Sequence, residues 1–166
     1  MSQHNRMIKD YKKNRGMGLI EIVISAAILS IGILALISTY NTFISFAFSN
    51  QKNVEAAYLL EEGLEAMTFL RDKSFSNISK LSTSTTYYLT FTASSWATTT
   101  TPQYVDGQYL RSINISDVNR DGTDKIAAAG TYDPNTKKVT ATVSYFQGHA
   151  TTTKSISTYI ANIYGN

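Results

Sequence analysis

The chain has 166 residues, of which 43% are apolar and 16% charged, with 15 Lys+Arg, 12 Asp+Glu, two histidines and no cysteine. This composition excludes a disordered chain and supplies enough apolar mass for a core, while the lack of cysteine excludes disulfides, thiolate zinc sites, iron–sulfur clusters and cysteine nucleophiles. The formal charge of +3 is concentrated at one end: residues 1–16 hold Arg6, Lys9, Lys12, Lys13 and Arg15 against Asp10 alone, so charge gives no support to a nucleic-acid surface on the rest, and nucleic acid stays open as a partner.

After Gly16 an apolar run occupies residues 17–37, and no charge occurs between Glu21 and Lys52. A helix needs roughly 20 apolar residues to cross a bilayer core of about 30 Å. Lys12, Lys13 and Arg15 directly before the run predict an N-terminus on the cytoplasmic side and export of everything after about residue 45. The run is longer than the apolar region of a cleaved signal peptide, and no small-x-small site closes it. Glu21 lies inside it, where an unpaired carboxylate costs on the order of 2.5–3.5 kcal/mol. Either it snorkels or is protonated, or it acquires a cationic partner. Cleavage after Gly16 would create one, the α-amino group of Met17, four residues before Glu21.

The segment Lys12-Lys-Asn-Arg-Gly16, followed by Met17-Gly-Leu-Ile-Glu21 and a long apolar helix, resembles the class III signal of type IV prepilins and pseudopilins. The resemblance implies cleavage after Gly16 by a membrane aspartyl prepilin peptidase and N-methylation of Met17. Met17 stands where the family usually has Phe, and Gly18 replaces a common Thr. In the family the residue matching Glu21 neutralises the N-terminal amine of a neighbouring subunit during assembly. Two charges that are costly apart in an apolar bundle recover much of that cost only in the correct register. The implied partners are other pilin subunits, the peptidase, an assembly platform in the cytoplasmic membrane, and lipid before assembly. No cofactor is implied.

No proline precedes Pro102, so the helix is expected to run unbroken from about residue 17 to 72, roughly 80 Å at 1.5 Å per residue. Its second half carries Val54, Ala57, Leu60, Leu64 and Met67 on one face, with Lys52, Glu55, Glu62 and Glu65 elsewhere. Glu61, Glu62 and Glu65 read as a solvated face, with contact to a neighbouring subunit as the alternative. The stretch Ala56–Met67 with Leu70-Arg-Asp72, together with Gly18–Glu21 and Ile28–Gly32, is similar to PilV-like minor pilins. Gly32 either lets helices approach closely or marks a place for local unwinding. Many family members have a proline a few residues further on, where this chain has Ser38.

From about residue 83 the period changes to 2. Strands are expected around Tyr87–Thr92, Ser112–Ser116, Val139–Tyr145 and Ile156–Ile160, in an antiparallel sheet with one face toward the helix. Asp133-Pro-Asn-Thr136 and Gln147-Gly-His149 read as turns, and Ser94–Pro102 as irregular. Trp96 is a core plug from that loop or an exposed contact. Runs such as Ser82–Thr86 and Thr98–Thr101 read as solvated, with O-glycosylation as the alternative. The N-glycosylation patterns at Asn77 and Asn114 are discounted. Asp117, Asn119, Asp121 and Asp124 have the spacing of a calcium loop, but its twelfth position is Ala128, where a glutamate is expected. A turn is the default there, and no metal site is favoured.

The leader contains His4, so cleavage would leave His149, read as a solvated turn residue. There is no phosphate loop, HExxH or Gly-x-Ser-x-Gly motif, and no enzyme is expected. The expected fold class is α+β: a long N-terminal helix, membrane-spanning then amphipathic, packed on a C-terminal antiparallel head. Its segments are a leader 1–16, an apolar helix 17–48, an amphipathic continuation 49–80 and a β head 81–166. The expected function is that of a structural subunit of an extracellular filament, a minor pilin in preference to a major one. The neighbouring readings are a type II secretion pseudopilin and a monomeric membrane-anchored binding module.

Overall fold

The computed structural model describes residues 15–148 and 150–165. Residues 1–14 of the expected leader, with His4, and the turn position His149 lie outside the described residues. Helix α1 runs Arg15–Lys73, in line with the absence of proline. The chain divides after Phe48 into two units, the second being Ser49–Asn166.

In the first unit the long side chains are uncovered: Leu19, Ile31 and Leu36 are 69%, 68% and 72% exposed. Ser30, Thr39 and Thr42 donate their hydroxyls to the carbonyls of Ala26, Ala35 and Ser38 at 2.7, 2.9 and 3.0 Å. Such back-bonding satisfies the hydroxyls within the helix itself.

In the second unit α1 ends at Lys73, with Arg71 and Lys73 in its last turn, a placement the helix dipole favours. The Leu70 carbonyl accepts both the Ser74 N–H at 3.2 Å and the Asn77 side chain at 3.0 Å, which ties the next turn of chain to the end of α1. Asn77 lies within the short helix α2, Ser76–Ser79, whose N-cap position is Phe75. Among the described residues seven strands follow: β1 Thr86–Thr92, β2 Ser95–Thr99, β3 Tyr104–Val105, β4 Tyr109–Arg120, β5 Ile126–Ala127, β6 Thr131–Gln147 and β7 Ala150–Ala161. The sheet is antiparallel in order β2-β1-β4-β6-β7, with β3 and β5 also paired to β4. The fold is therefore α+β, as the sequence implied.

Three local expectations need correction. Ser94–Pro102 is not irregular, because β2 returns along β1 with Thr92 paired to Ser95. The two loop residues, Ala93 and Ser94, have φ of 50° and 60°. This is the left-handed backbone of a tight hairpin, made without the Asn or Gly that would have announced it. Trp96 accordingly packs on the core from a strand, its ring 5.1 Å from Phe91 and under Arg111. Second, Asp133-Pro-Asn-Thr136 does not end a strand. Asp117 pairs with Lys137 and Val118 with Asp133, so Pro134–Thr136 bulge out of a continuous β6. A bulge accepts a residue without an N–H, and the turn chemistry survives as a 2.9 Å bond from Asn135 N to Asp133.

Third, the buried face of the helix is Ala56, Leu60, Gly63, Met67 and Leu70, whereas Val54 and Ala57 are exposed. Small residues set this rotation. A Cβ at Gly63 would stand 3.2 Å from Arg111 Cδ and 3.5 Å from Ala141 Cβ, so the helix lies close on the sheet. Opposite it, Ile113, Val139, Ala141 and Val143 are fully buried, alternating along β4 and β6 with half-buried polar residues.

A polar seam continues the contact. Glu55 accepts from Tyr109 Oη at 2.6 Å and Asn53 from Tyr145 Oη at 2.7 Å. Lys52 donates to the Phe146 carbonyl at 2.9 Å, and Gln147 to Ser49. Burial and the bond to Glu55 push the Tyr109 hydroxyl up to about 12. Met67, with no exposed surface, is the central knob. Met67→Ala is expected to lower stability by about 2–5 kcal/mol, read as a fall in the urea midpoint of Trp96 emission for the detergent-solubilised chain.

Candidate functional site

Two regions carry the residues singled out from the sequence. The first is the start of α1, where Gly16, Met17 and Glu21 fall within the opening turns of the helix. Glu21 stands four positions after Met17, about one helical turn on. Glu21 is exposed, among side chains such as Ile20 and Ile24 at 62% and 52% exposure. From Gly18 onward α1 is long and apolar enough to cross a membrane, and its most apolar stretch is buried nowhere within the protein. A carboxylate on such a rod can pair with a cation.

The second region is the Asp- and Asn-rich string of the head. Asp117 and Asn119 lie in β4, whereas Asp121 and Asp124 lie in the turn after it. Their oxygens are directed to different partners. Asp117 meets Lys137 Nζ at 2.5 Å across the strand pair, and that ammonium also donates to Tyr132 Oη at 2.8 Å. Asp121 accepts from the backbone N–H of Thr123 at 2.8 Å and of Lys125 at 3.1 Å, and from the Thr123 hydroxyl at 2.7 Å. Asp124, with φ of 64°, gives its carbonyl to Arg120 at 2.8 Å. Among the described residues no group of three or more His, Cys, Asp or Glu is placed to hold one ion. The string acts as a strand end and an Asx turn.

Beside it an open depression of about 360 Å³ is lined by Arg120, Asp124, Tyr132 and Asp133 among others. Its charges face one another: Arg120 Nε donates to Asp133 at 2.7 Å and lies 3.6 Å from Asp124. Gly130 closes the loop with φ of 150°, and a Cβ there would sit 2.1 Å from the Arg120 carbonyl oxygen. Gly130→Ala is therefore expected to cost about 2 kcal/mol or more, checked by the same urea titration.

Hydrogen bonds from Arg120 and Thr136 hold the Asp133 carboxyl below its ordinary range, and the Thr123 hydroxyl with the Thr123 and Lys125 amides does so for Asp121. A depressed carboxylate stabilises the fold above its unfolded pKa, and that contribution fades as pH falls through the folded value. Asp133→Asn is expected to reduce the loss of stability between about pH 6 and about pH 3, measured from urea midpoints at both.

The sequence reading missed one charged pair of the head. Glu62, expected on a solvated face, is ion-paired to Arg111, whose side chain is 5% exposed. The signal was present: Arg111 interrupts the apolar alternation Tyr109, Ile113, Ile115, and a cation at an inward position calls for a carboxylate opposite.

Residues 11–37 match the family model of the prokaryotic N-terminal methylation motif. No curated protein and no solved structure matches the chain. The motif implies processing by a prepilin peptidase and assembly with other pilin subunits, and it belongs to structural proteins. With its exposed apolar helix and antiparallel head, the chain carries the prepilin-type signal of the type IV pilin and pseudopilin family.

Proposed function

We propose that this protein is a structural subunit of a type IV pilus-like extracellular filament, a minor pilin in preference to a major one. The observation that carries the reading is the methylation motif at residues 11–37, at the start of a helix long and apolar enough to cross a membrane. In this reading residues 1–16 are a leader removed between Gly16 and Met17, and Met17 is then N-methylated. Residues 17–48 span the cytoplasmic membrane, N-terminus inside, until an assembly platform extracts them into the filament core. Residues 49–80 join that helix to the head, 81–166. The similarity of Gly18–Glu21, Ile28–Gly32 and Ala56–Met67 to PilV-like proteins favours the minor class.

Glu21 is the assembly residue. In a bundle of apolar helices its carboxylate and the N-terminal amine of an adjoining subunit are each costly alone, and they relieve one another only when the new subunit enters at the right height. The head then presents surface for adhesion, motility or DNA uptake. No catalytic role is assigned to any residue.

Mass spectrometry of sheared surface fractions is expected to find a species lacking residues 1–16 and carrying one methyl group on Met17. Glu21→Ala is expected to be cleaved normally yet to be depleted from the sheared fraction. Its normal incorporation would overturn the assigned role. A wild-type chain that keeps its leader, or stays with the cells after shearing, would favour a membrane-anchored monomer instead.

A further inference from the structure

The sheet has two faces of opposite character. One packs on the helix; the other is uncovered by any described element, and its composition is unusual. Strand register places Tyr88, Ser112, Thr142 and Ser155 side by side across β1, β4, β6 and β7. The adjoining row is Thr86, Asn114, Thr140 and Ser157. All eight alternate with inward residues along their strands, and none is buried.

Neighbours in the second of these rows, and in the row of Leu110 on the other side, are bonded to each other. Thr140 Oγ1 and Ser157 Oγ lie 2.9 Å apart, as do Ser144 Oγ and Thr153 Oγ1, and Asn114 Nδ2 donates to Thr86 Oγ1 at 3.1 Å. A hydroxyl pair uses one O–H internally and leaves the other O–H and several lone pairs facing out. The grid is thus both donor and acceptor: the bonded pairs orient one another, and between them the Tyr88, Ser112, Thr142 and Ser155 hydroxyls are half-buried or exposed. Among the described residues, the outward positions between the row of Leu110 and the row of Ser116 include one charged side chain, Lys138.

Charge and polarity together narrow what such a face can hold. A polyanion or acidic protein would find almost no counter-charge. An acyl surface or apolar peptide would leave the hydroxyl grid desolvated without partners. An uncharged polymer that brings its own hydroxyls can exchange bonds with the grid. Tyr88 and the 49%-exposed Tyr159, roughly 20 Å apart by strand spacing and rise, offer ring faces for the apolar sides of sugar rings.

We propose that the outer face of the sheet, centred on Tyr88, Ser112, Thr142 and Ser155, binds an uncharged polysaccharide. The site rests on the register of the head alone and stands whether or not the chain enters a filament.

The test uses the full chain in a non-glycoside detergent, equilibrated with insoluble cellulose, chitin and starch, and with DNA and polygalacturonate as charged probes. Retention on at least one neutral polymer is expected, unchanged between low and high salt. Tyr159→Ala and Ser155→Lys should each weaken it about tenfold, while Glu61→Lys, on the helix away from this face, should not. Both sensitive positions are exposed, and circular dichroism of each variant confirms folding. Absence of retention on all three neutral polymers overturns the proposal. So does retention confined to the charged probes, or retention that neither variant weakens.

Discussion

A carboxylate at the head of an uncharged helix constrains everything else about this chain. From Ile22 to Gln51 no residue bears a charge, and the side chains of that stretch up to Phe48 find almost no cover within their own unit. Apolar surface of this extent is not left in water; lipid or other apolar helices must take it up. The hydroxyls of Ser30, Thr39 and Thr42 escape by bonding to their own helix backbone. Glu21 has no equivalent escape, since an ionised carboxylate only accepts and the N–H groups of a helix interior are already engaged. The same residue that hinders simple residence in a membrane therefore favours any surroundings that offer it a cation.

The second unit obeys the opposite rule. It encloses an apolar core, and three of its cations are paired locally: Arg120 with Asp133, Lys137 with Asp117, Arg111 with Glu62. With no cysteine to cross-link it, the head relies on long ladders. β4, β6 and β7 pair along nearly their whole lengths, and the core beneath them is built from Met67, Ile113, Val139 and Val143. The hydroxyl-rich outer face follows from the same economy of charge, because a sheet covered on one side by a helix must keep its other side soluble. Here threonine and serine do so, with strong β propensity from the threonines.

The signals with a fixed period were readable from the residues. The apolar run and its basic flank located the first helix, and the alternations Ile113–Ile115 and Val139–Tyr145 located the two central strands. What failed were features fixed by tertiary contact. The β1–β2 hairpin turns on Ala93 and Ser94, residues with no special liking for positive φ, which the ladder on either side holds in place. Asp133-Pro-Asn has every local mark of a turn, yet the strand resumes because β4 and β7 continue to pair beyond it. The helix face was read from its larger side chains, whereas Ala56, Gly63 and Ala66 mark where the backbone comes nearest the sheet. In the acidic string, spacing suggested a shared ion, but β4 directs Asp117 toward Lys137, away from Asp121.

Arg111 shows how the polar and apolar parts of the head depend on each other. It stands at an inward position of β4, with its guanidinium over the Trp96 ring, 5.3 Å from the centroid, and its Nη1 reaching Glu62 and the Leu59 carbonyl. Its Nε is buried and has no hydrogen-bond partner. A purely apolar residue there would avoid that desolvation, and buried ion pairs seldom add net stability. What the pair supplies is discrimination. The apolar contacts of α1 would tolerate a slide by one turn, since Leu60, Met67 and Leu70 are comparable knobs. A slide would leave the Arg111 charge buried without Glu62, and Gly63 would no longer lie against its Cδ, 3.2 Å from where a Cβ would be. Tyr109 with Glu55, and Tyr145 with Asn53, impose the same register further along. The seam therefore selects one axial position of the helix on the sheet, from contacts that individually contribute little to holding it there.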